Sequence, residues 1–276
     1  MKNVKLIALD LDGTLLASDH WTVPQRNIDA IRSAHEAGVI VTINTGRVLE
    51  DASDFCSRLG LPCMLIACDG TRAANGLLPE AEVFFRRGFE LADVHAVLDI
   101  LMPTELKINV FEDGKVSTRY GRDHTEYHLV RRRLIEAVYG EEMVRAAADR
   151  GVIKIFVEGT EEDRGCIDAM RAEIRERLPH LQVTNSGPLN IEIIPSDAGK
   201  GAALCAMAEY LGLERENVMA VGDAHNDLSM LEYAAHSVAM ENADDEIKRV
   251  CRYVTATNDE CGVAQIIERV LECQKA

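Results

Sequence analysis

Residues 4–67 alternate short apolar runs with amphipathic stretches, and that order admits few folds. Residues 4–9 form a nearly continuous apolar run, as in a strand buried on both faces. Pro24 suits a first helical turn. Ile28, Ile31 and Ala34 follow at helical spacing, and Gly38 stands just past the end. A β-branched strand at 39–43, a helix at 48–59 stopped by Gly60, and a third strand at 64–67 complete the series. Strand–helix–strand–helix–strand predicts right-handed crossovers and a parallel sheet with helices on both faces.

The carboxy-terminal third resumes that rhythm. A helix at 200–211 stops at Gly212, then come a strand at 218–221, a helix at 227–234, a strand at 237–240 and an amphipathic helix at 262–273. Between the two outer segments the texture changes. Charged, alternating strands at 107–111, 115–119 and 153–158 appear, the first two joined by Asp113-Gly114, with amphipathic helices at 91–101 and 162–178. Such strands predict an antiparallel sheet covered by helices on one side. The expected fold is α/β: a doubly wound, Rossmann-like parallel-sheet core from 1–82 and 190–276, carrying an inserted α+β domain at 83–189.

The formal net charge of −16 repels polyanions at long range, so no nucleic acid is expected as a partner. A small phosphorylated substrate is not excluded, because local cations and a bound metal can reverse the potential inside a pocket. No run approaches the ~20 apolar residues that span a bilayer, and the amino terminus lacks the features of a secretory signal. The expectation is a soluble, cytoplasmic protein. Its eight cysteines are scattered without a C-x-x-C pair, which predicts buried, reduced thiols.

Four short segments fall at the ends of predicted core strands, where open parallel sheets bind ligands. The first is Asp10-Leu11-Asp12-Gly13-Thr14-Leu15. Its paired carboxylates suit magnesium, a hard cation that wants oxygen ligands. One could instead attack phosphorus while the other gives a proton to the leaving oxygen. An acidic turn is the plainer reading, since Asp-Gly is a common turn pair. The second, Asn44-Thr45-Gly46-Arg47, offers a hydroxyl and backbone N–H groups at a helix start; alone it is as well explained by an ordinary cap. The third is Lys200, on its own no more than a surface charge. The fourth, Gly222-Asp223-Ala224-His225-Asn226-Asp227-Leu228, sets two carboxylates and an amide where a strand turns into a helix.

Taken in order, these four segments resemble the four motifs of the haloacid dehalogenase-like phosphatases, specifically the Cof-type, sugar-phosphatase-like branch. Asp10 and Thr45 are too close in sequence for a cap after the first motif. The long stretch from Thr45 to Lys200 has room for one, as in that branch. The resemblance implies a magnesium-dependent phosphatase acting on small phosphorylated metabolites. Asp10 would be the nucleophile, and Asp12 the general acid and then base. Asp10, the Asp12 carbonyl and Asp223 would hold Mg2+. Thr45, the Gly46 N–H, Lys200 and Asn226 would hold the phosphoryl oxygens, with Asp227 orienting Lys200 or a metal-bound water. The inserted domain would set specificity. A phosphomutase and a non-catalytic regulatory protein remain alternatives. One departure stands out: Asp69-Gly70 replaces the branch's common Asn-Gly, a change expected to touch a hinge or pocket edge and none of the four motifs.

A basic stretch, Arg119, Arg122, Arg131, Arg132 and Arg133 with His124 and His128, interrupts an otherwise acidic chain. A solvated helix face is the expectation; contact with an anionic substrate group is the sharper alternative. The i, i+4 histidine pair lacks the glutamate arrangement of a His-Glu-x-x-His zinc site.

Overall fold

The computed structural model describes residues 1–61, 63–119 and 134–275. The chain divides into two compact units, Met1–Arg86 with Gly199–Ala276, and Arg87–Ala198. The first unit begins with β1 (Leu6–Leu9), α1 (Gln25–Glu36), β2 (Ile40–Asn44), α2 (Leu49–Leu59), β3 (Cys63–Ala67), β4 (Arg72–Asn75) and β5 (Glu82–Arg86). The second contains α3 (Leu91–Leu101), β6 (Lys107–Glu112), β7 (Lys115–Thr118), β8 (Glu136–Tyr139), α4 (Glu141–Ala147), β9 (Lys154–Glu158), α5 (Arg164–Arg177), β10 (Gln182–Thr184) and β11 (Asn190–Ile194). The first then resumes with α6 (Lys200–Tyr210), β12 (Val218–Gly222), α7 (Leu228–Tyr233), β13 (His236–Ala239), α8 (Asp245–Val250), β14 (Tyr253–Val254) and α9 (Gly262–Lys275).

In the first unit an eight-stranded sheet runs β14-β13-β12-β1-β2-β3-β4-β5. The six strands from β14 to β3 are parallel, and β4 and β5 extend the edge antiparallel. Its doubly wound character is visible within β1 itself. Ile7 and Leu9 pack with Ile28 and Ile31 of α1, Phe55 of α2 and Ile267 of α9. Leu6 and Ala8 pack on the opposite face with Leu204 of α6, Leu231 of α7 and Ile247 of α8. Successive strand residues alternate faces, so a strand covered on both sides must be apolar throughout. Each fully buried Leu or Ile contributes about 1.5–3 kcal/mol. From β1 the chain winds outward to β2 and β3, and on the other side from β12 to β13 and β14. The β1–β12 boundary is therefore the switch point, and the carboxyl ends of these strands are where such sheets bind ligands.

The second unit holds a six-stranded sheet, β10-β11-β9-β6-β7-β8. Ile108, Val110, Ile155, Val157, Ile191 and Ile193 pack against α3, α4 and α5 on one face. All pairings are antiparallel except β7 with β8. That parallel pair follows from the long connection after Thr118, since parallel neighbours need a crossover of a dozen or more residues.

The sequence-drawn boundaries move at both ends. Residues 83–86 belong to β5, whose Arg86 pairs with Arg72 of β4, so they stay with the first sheet. Residues 190–194, assigned by sequence to the core, are β11, which lies between β9 and β10 in the second sheet. An apolar run such as Ile191, Ile193 and Ile194 names a buried strand but not the sheet that pairs with it.

Most of the basic stretch, including Arg122, Arg131 to Arg133, His124 and His128, lies outside the described residues. Arg119 donates to the Thr104 and Met102 carbonyls and pairs with Glu141, which ties it to its own unit. All eight cysteines are free; only Cys56 and Cys68 are fully buried, so the expectation of buried thiols holds for two. Among the described residues no helix is long and apolar enough to cross a membrane.

Candidate active site

The predicted site residues outside the second unit all arrive at the carboxyl ends of β1, β2 and β12 or at the start of α6. Asp10 follows β1 directly, and its N–H still donates to the Val221 carbonyl of β12 at 3.1 Å. A wide turn at Leu11–Leu15, with non-helical backbone at Asp12 and Gly13, then carries the chain away. The turn depends on Gly13. Its φ is +86°, and a Cβ there would fall 2.2 Å from Asp223 Oδ2. That vacant space lets the Asp223 carboxylate approach, where Thr14 Oγ1 donates to its Oδ1 at 2.8 Å. Gly222 plays the same part for Asp227, since a Cβ on it would fall 2.5 Å from Asp227 Oδ2.

Lys200 is the centre of the cluster. It opens α6, is only 1% exposed, and its Nζ donates to Asp10 Oδ1 at 2.6 Å and Asp227 Oδ1 at 2.5 Å. Burial opposes its charge, but Asp10, Asp227 and Asp69 outweigh that and hold its pKa well above the usual lysine value. The other oxygen of Asp227, Oδ2, accepts the N–H groups of Asp223 and Ala224 at 3.0 and 3.1 Å. Asp227 thus links the strand end to the lysine.

One cation among several carboxylates leaves negative charge in excess. Burial, then Asp227, push Asp223 up to about 7, with Lys200 pulling the other way. Burial and Asp227 also raise Asp10 well above the carboxylate range, against the opposing pull of Lys200. Oxygens of Asp10, Asp223 and Asp227 all lie within 4.8 Å of one another. This donor set fits a hard divalent cation: all-oxygen, crowded and held in unfavourable proximity without one. Asp12 is not in that set by its side chain.

The sign of the pH effect follows. A folded-state pKa of about 7 against an ordinary 3.8 means that the fold favours protonated Asp223. Its contribution to stability is complete below the unfolded value and disappears as pH rises through 7. In chelator, the melting temperature is therefore expected to fall between pH 5 and pH 8, and magnesium to flatten that slope. A metal-free melting temperature that rises over this interval would contradict the assignment.

Asp12 faces a different partner. Arg47 Nη2 and Nε donate to its two oxygens at 2.7 and 3.0 Å, and Arg47 Nη1 reaches buried Asp51 Oδ2 at 3.4 Å. Burial works against the guanidinium charge, but Asp12 and Asp51 more than offset it, and its pKa is raised. Thr45 is buried and its Oγ1 accepts the Arg47 N–H at 3.2 Å, locking the bend that aims the arginine. Sequence reasoning named the segment holding Arg47 but gave that side chain no role.

Asp69 is a correction. It was expected to touch none of the four motifs, yet Asn226 Nδ2 donates to its Oδ1 at 3.2 Å, and a Cβ on Gly46 would fall 2.8 Å from the same oxygen. Its backbone N–H donates to the Thr45 carbonyl. The segment after β3 bends through two left-handed residues, Cys68 and Asp69, with φ of +50° and +52°, and this turns Asp69 inward between the second and fourth segments. An asparagine would meet that backbone more readily than an aspartate.

Known proteins resemble this chain along nearly its whole length. Residues 7–267 match a family model described as haloacid dehalogenase-like hydrolase. Two Bacillus subtilis (strain 168) proteins, YwtE and YcsE, each called a 5-amino-6-(5-phospho-D-ribitylamino)uracil phosphatase, are 31% and 32% identical. Those alignments cover 99% of this chain with 100% of YwtE, and 96% with 95% of YcsE. A solved haloacid dehalogenase-like hydrolase from B. subtilis superposes with a TM-score of 0.83 at 27% identity, covering 97% of this chain and 100% of its own.

Proposed function

The chain belongs to the haloacid dehalogenase-like hydrolases, and on that premise we propose that it is a magnesium-dependent phosphatase of small phosphorylated metabolites, working through a phospho-aspartate at Asp10. Its relatives are named phosphatases, and hydrolysis of a phosphoric monoester accords with that. The observation that carries the mechanism is the arrangement of Asp10, Lys200 and Asp227 at the β1–β12 switch point, with Asp12 held separately by Arg47.

In this reading a carboxylate oxygen of Asp10 attacks phosphorus, and the bond from phosphorus to the leaving oxygen breaks as Asp12 gives that oxygen a proton. Asp12 then takes a proton from water, which attacks the phospho-aspartate and frees phosphate and the Asp10 carboxylate. Lys200, Thr45 Oγ1, the Gly46 N–H and Asn226 Nδ2 hold the phosphoryl oxygens in line, and Asp227 keeps Lys200 oriented. Asp10, Asp223 and the carbonyl of Asp12 would hold Mg2+, which supplies charge neutralisation for the phosphoryl group. Such a reaction asks for positioning and electrostatics more than for covalent help. The second unit, residues 87–198, contributes discrimination among the organic parts of substrates.

The test is phosphate release from a panel of sugar phosphates, nucleoside monophosphates, pyridoxal phosphate, flavin mononucleotide and 5-amino-6-(5-phospho-D-ribitylamino)uracil, the last chosen from the relatives' names. Release with magnesium, and its loss with chelator, is expected. Isomerised product formed only with a bisphosphate activator would instead indicate a mutase, and no reaction at all a non-catalytic role.

Arg47→Ala leaves Asp12 unrestrained while every phosphate-holding group stays in place. General acids contribute on the order of 10²–10⁴ in rate, so a fall in kcat of about 10² is expected for alkyl phosphates. Aryl phosphates, whose leaving oxygen needs no proton, should lose far less. Equal losses for both ester classes would remove Arg47 from this role.

A further inference from the structure

The turn after β3 reaches three of the four segments that build the site. Cys68 N–H donates to the Arg47 carbonyl at 2.8 Å and Asp69 N–H to the Thr45 carbonyl at 3.1 Å, which pins the turn to the second segment. Gly70 lies so close to the residues that open α6 that a Cβ on it would run into the Gly199 carbonyl. Asp69 itself is 2% exposed, and its Oδ1 accepts from Asn226 Nδ2 of the fourth segment at 3.2 Å. Burial opposes the Lys200 charge, and Asp69 stands with Asp10 and Asp227 among the carboxylates that outweigh it.

By charge alone, a carboxylate in this place works against the site. Asn226 and the Gly46 N–H are two of the groups assigned above to the phosphoryl oxygens, and a negative charge beside them repels a phosphate dianion. What Asp69 offers there is a one-way acceptor. A carboxylate oxygen only accepts, so the Asn226 amide must turn its nitrogen toward Asp69. An amide facing another amide can settle either way round. Nothing else among the described residues hydrogen-bonds the Asn226 side chain, and that residue is only partly buried. One Nδ2 hydrogen is thus committed to Asp69, and the other is left over.

We propose that Asp69 is a positioning residue that acts through Asn226: it fixes the nitrogen end of that amide, so that the second Nδ2 hydrogen meets a phosphoryl oxygen. This rests on the phosphatase reading for the role of Asn226. In this role Asp69 neither attacks phosphorus nor moves a proton.

Two substitutions separate the acceptor from the charge. Asp69→Asn and Asp69→Ala both remove the negative charge. Only asparagine keeps an oxygen that can accept from Asn226, and it suits the left-handed backbone at φ +52°. With magnesium present, the calorimetric Kd for inorganic phosphate is expected to be about tenfold higher in Asp69→Ala than in Asp69→Asn, and kcat/KM lower by a similar factor. In an Asn226→Ala background that difference should vanish, because residues that act through one contact are not additive. A merely structural Asp69 would leave the difference as large with Asn226 replaced as with it present. Should Asp69→Ala fail to fold, Asp69→Ser, whose hydroxyl is too short to reach Asn226, takes its place. Three results overturn the proposal: equal phosphate affinity in Asp69→Asn and Asp69→Ala, a difference that survives Asn226→Ala, or no binding of millimolar phosphate by the native protein. Failure of the phosphatase reading looks different: the native enzyme then frees phosphate from no ester, while the phosphate titrations still decide whether Asp69 acts through Asn226.

Discussion

Asp10→Asn is expected to reduce phosphate release by at least about 10⁴-fold, the scale on which removal of a covalent nucleophile acts. The same variant should fold normally. Asparagine matches aspartate in size and keeps an oxygen that can accept from Lys200, which now stands 2.6 Å from Asp10 Oδ1. Burial and Asp227 raise the pKa of the Asp10 carboxyl against the pull of Lys200, which disfavours its charged form, so an uncharged amide is tolerated there. The melting temperature in chelator should therefore stay level or rise. The gain on adding magnesium should shrink, because one of three crowded carboxylates has gone. Circular dichroism, thermal melts with and without magnesium, and single-turnover phosphate release on one preparation measure all of this. A folded Asp10→Asn protein with near-native turnover would sink the phospho-aspartate mechanism outright.

The sequence made Asp10 and Asp223 legible because both follow runs that only a doubly covered strand tolerates. A carboxylate at the end of such a run must emerge at the strand's carboxyl edge, and parallel order sets those edges side by side. Thr45 was legible for the same reason after β2. Arg47 was not, because its partner Asp12 sits on another strand end and no local pattern states how far a guanidinium reaches. Asp69 escaped for a backbone reason: successive left-handed residues at Cys68 and Asp69 turn it inward, and a cysteine does not advertise that conformation. The edge strands show the same limit. Arg72-Ala73-Ala74-Asn75 carries no β-branched residue, and it becomes β4 by pairing with β3 rather than by its own propensity. Residues 190–194 were placed with the core and instead form β11 of the second sheet, because pairing is decided by residues distant in sequence.

Lys200→Met should strongly destabilise the first unit. Methionine nearly matches the lysine stem in volume, so the cavity is small and the effect isolates the charge. Lys200 Nζ is the shared donor to Asp10 and Asp227, both buried, and nothing else among the described residues bridges them. Removing one member of a buried ionic cluster typically costs about 3–5 kcal/mol, because the remaining charges are left uncompensated. Turnover should fall by a further ~10²–10³, the usual loss for one positioned electrostatic group. The two effects are separable. Adding Asp227→Asn to Lys200→Met removes a carboxylate and should recover part of the lost melting temperature, yet it cannot recover kcat, since no cation is returned to the phosphoryl oxygens. Magnesium should likewise restore stability more than rate, because a divalent ion offsets the carboxylates without occupying the lysine's position. If Lys200→Met melts within a degree or so of the native protein, the cluster is not held by that charge. If it melts low but turns over normally, Lys200 is a counter-ion of the fold alone, and the phosphoryl oxygens are held by Thr45, Gly46 and Asn226 without it.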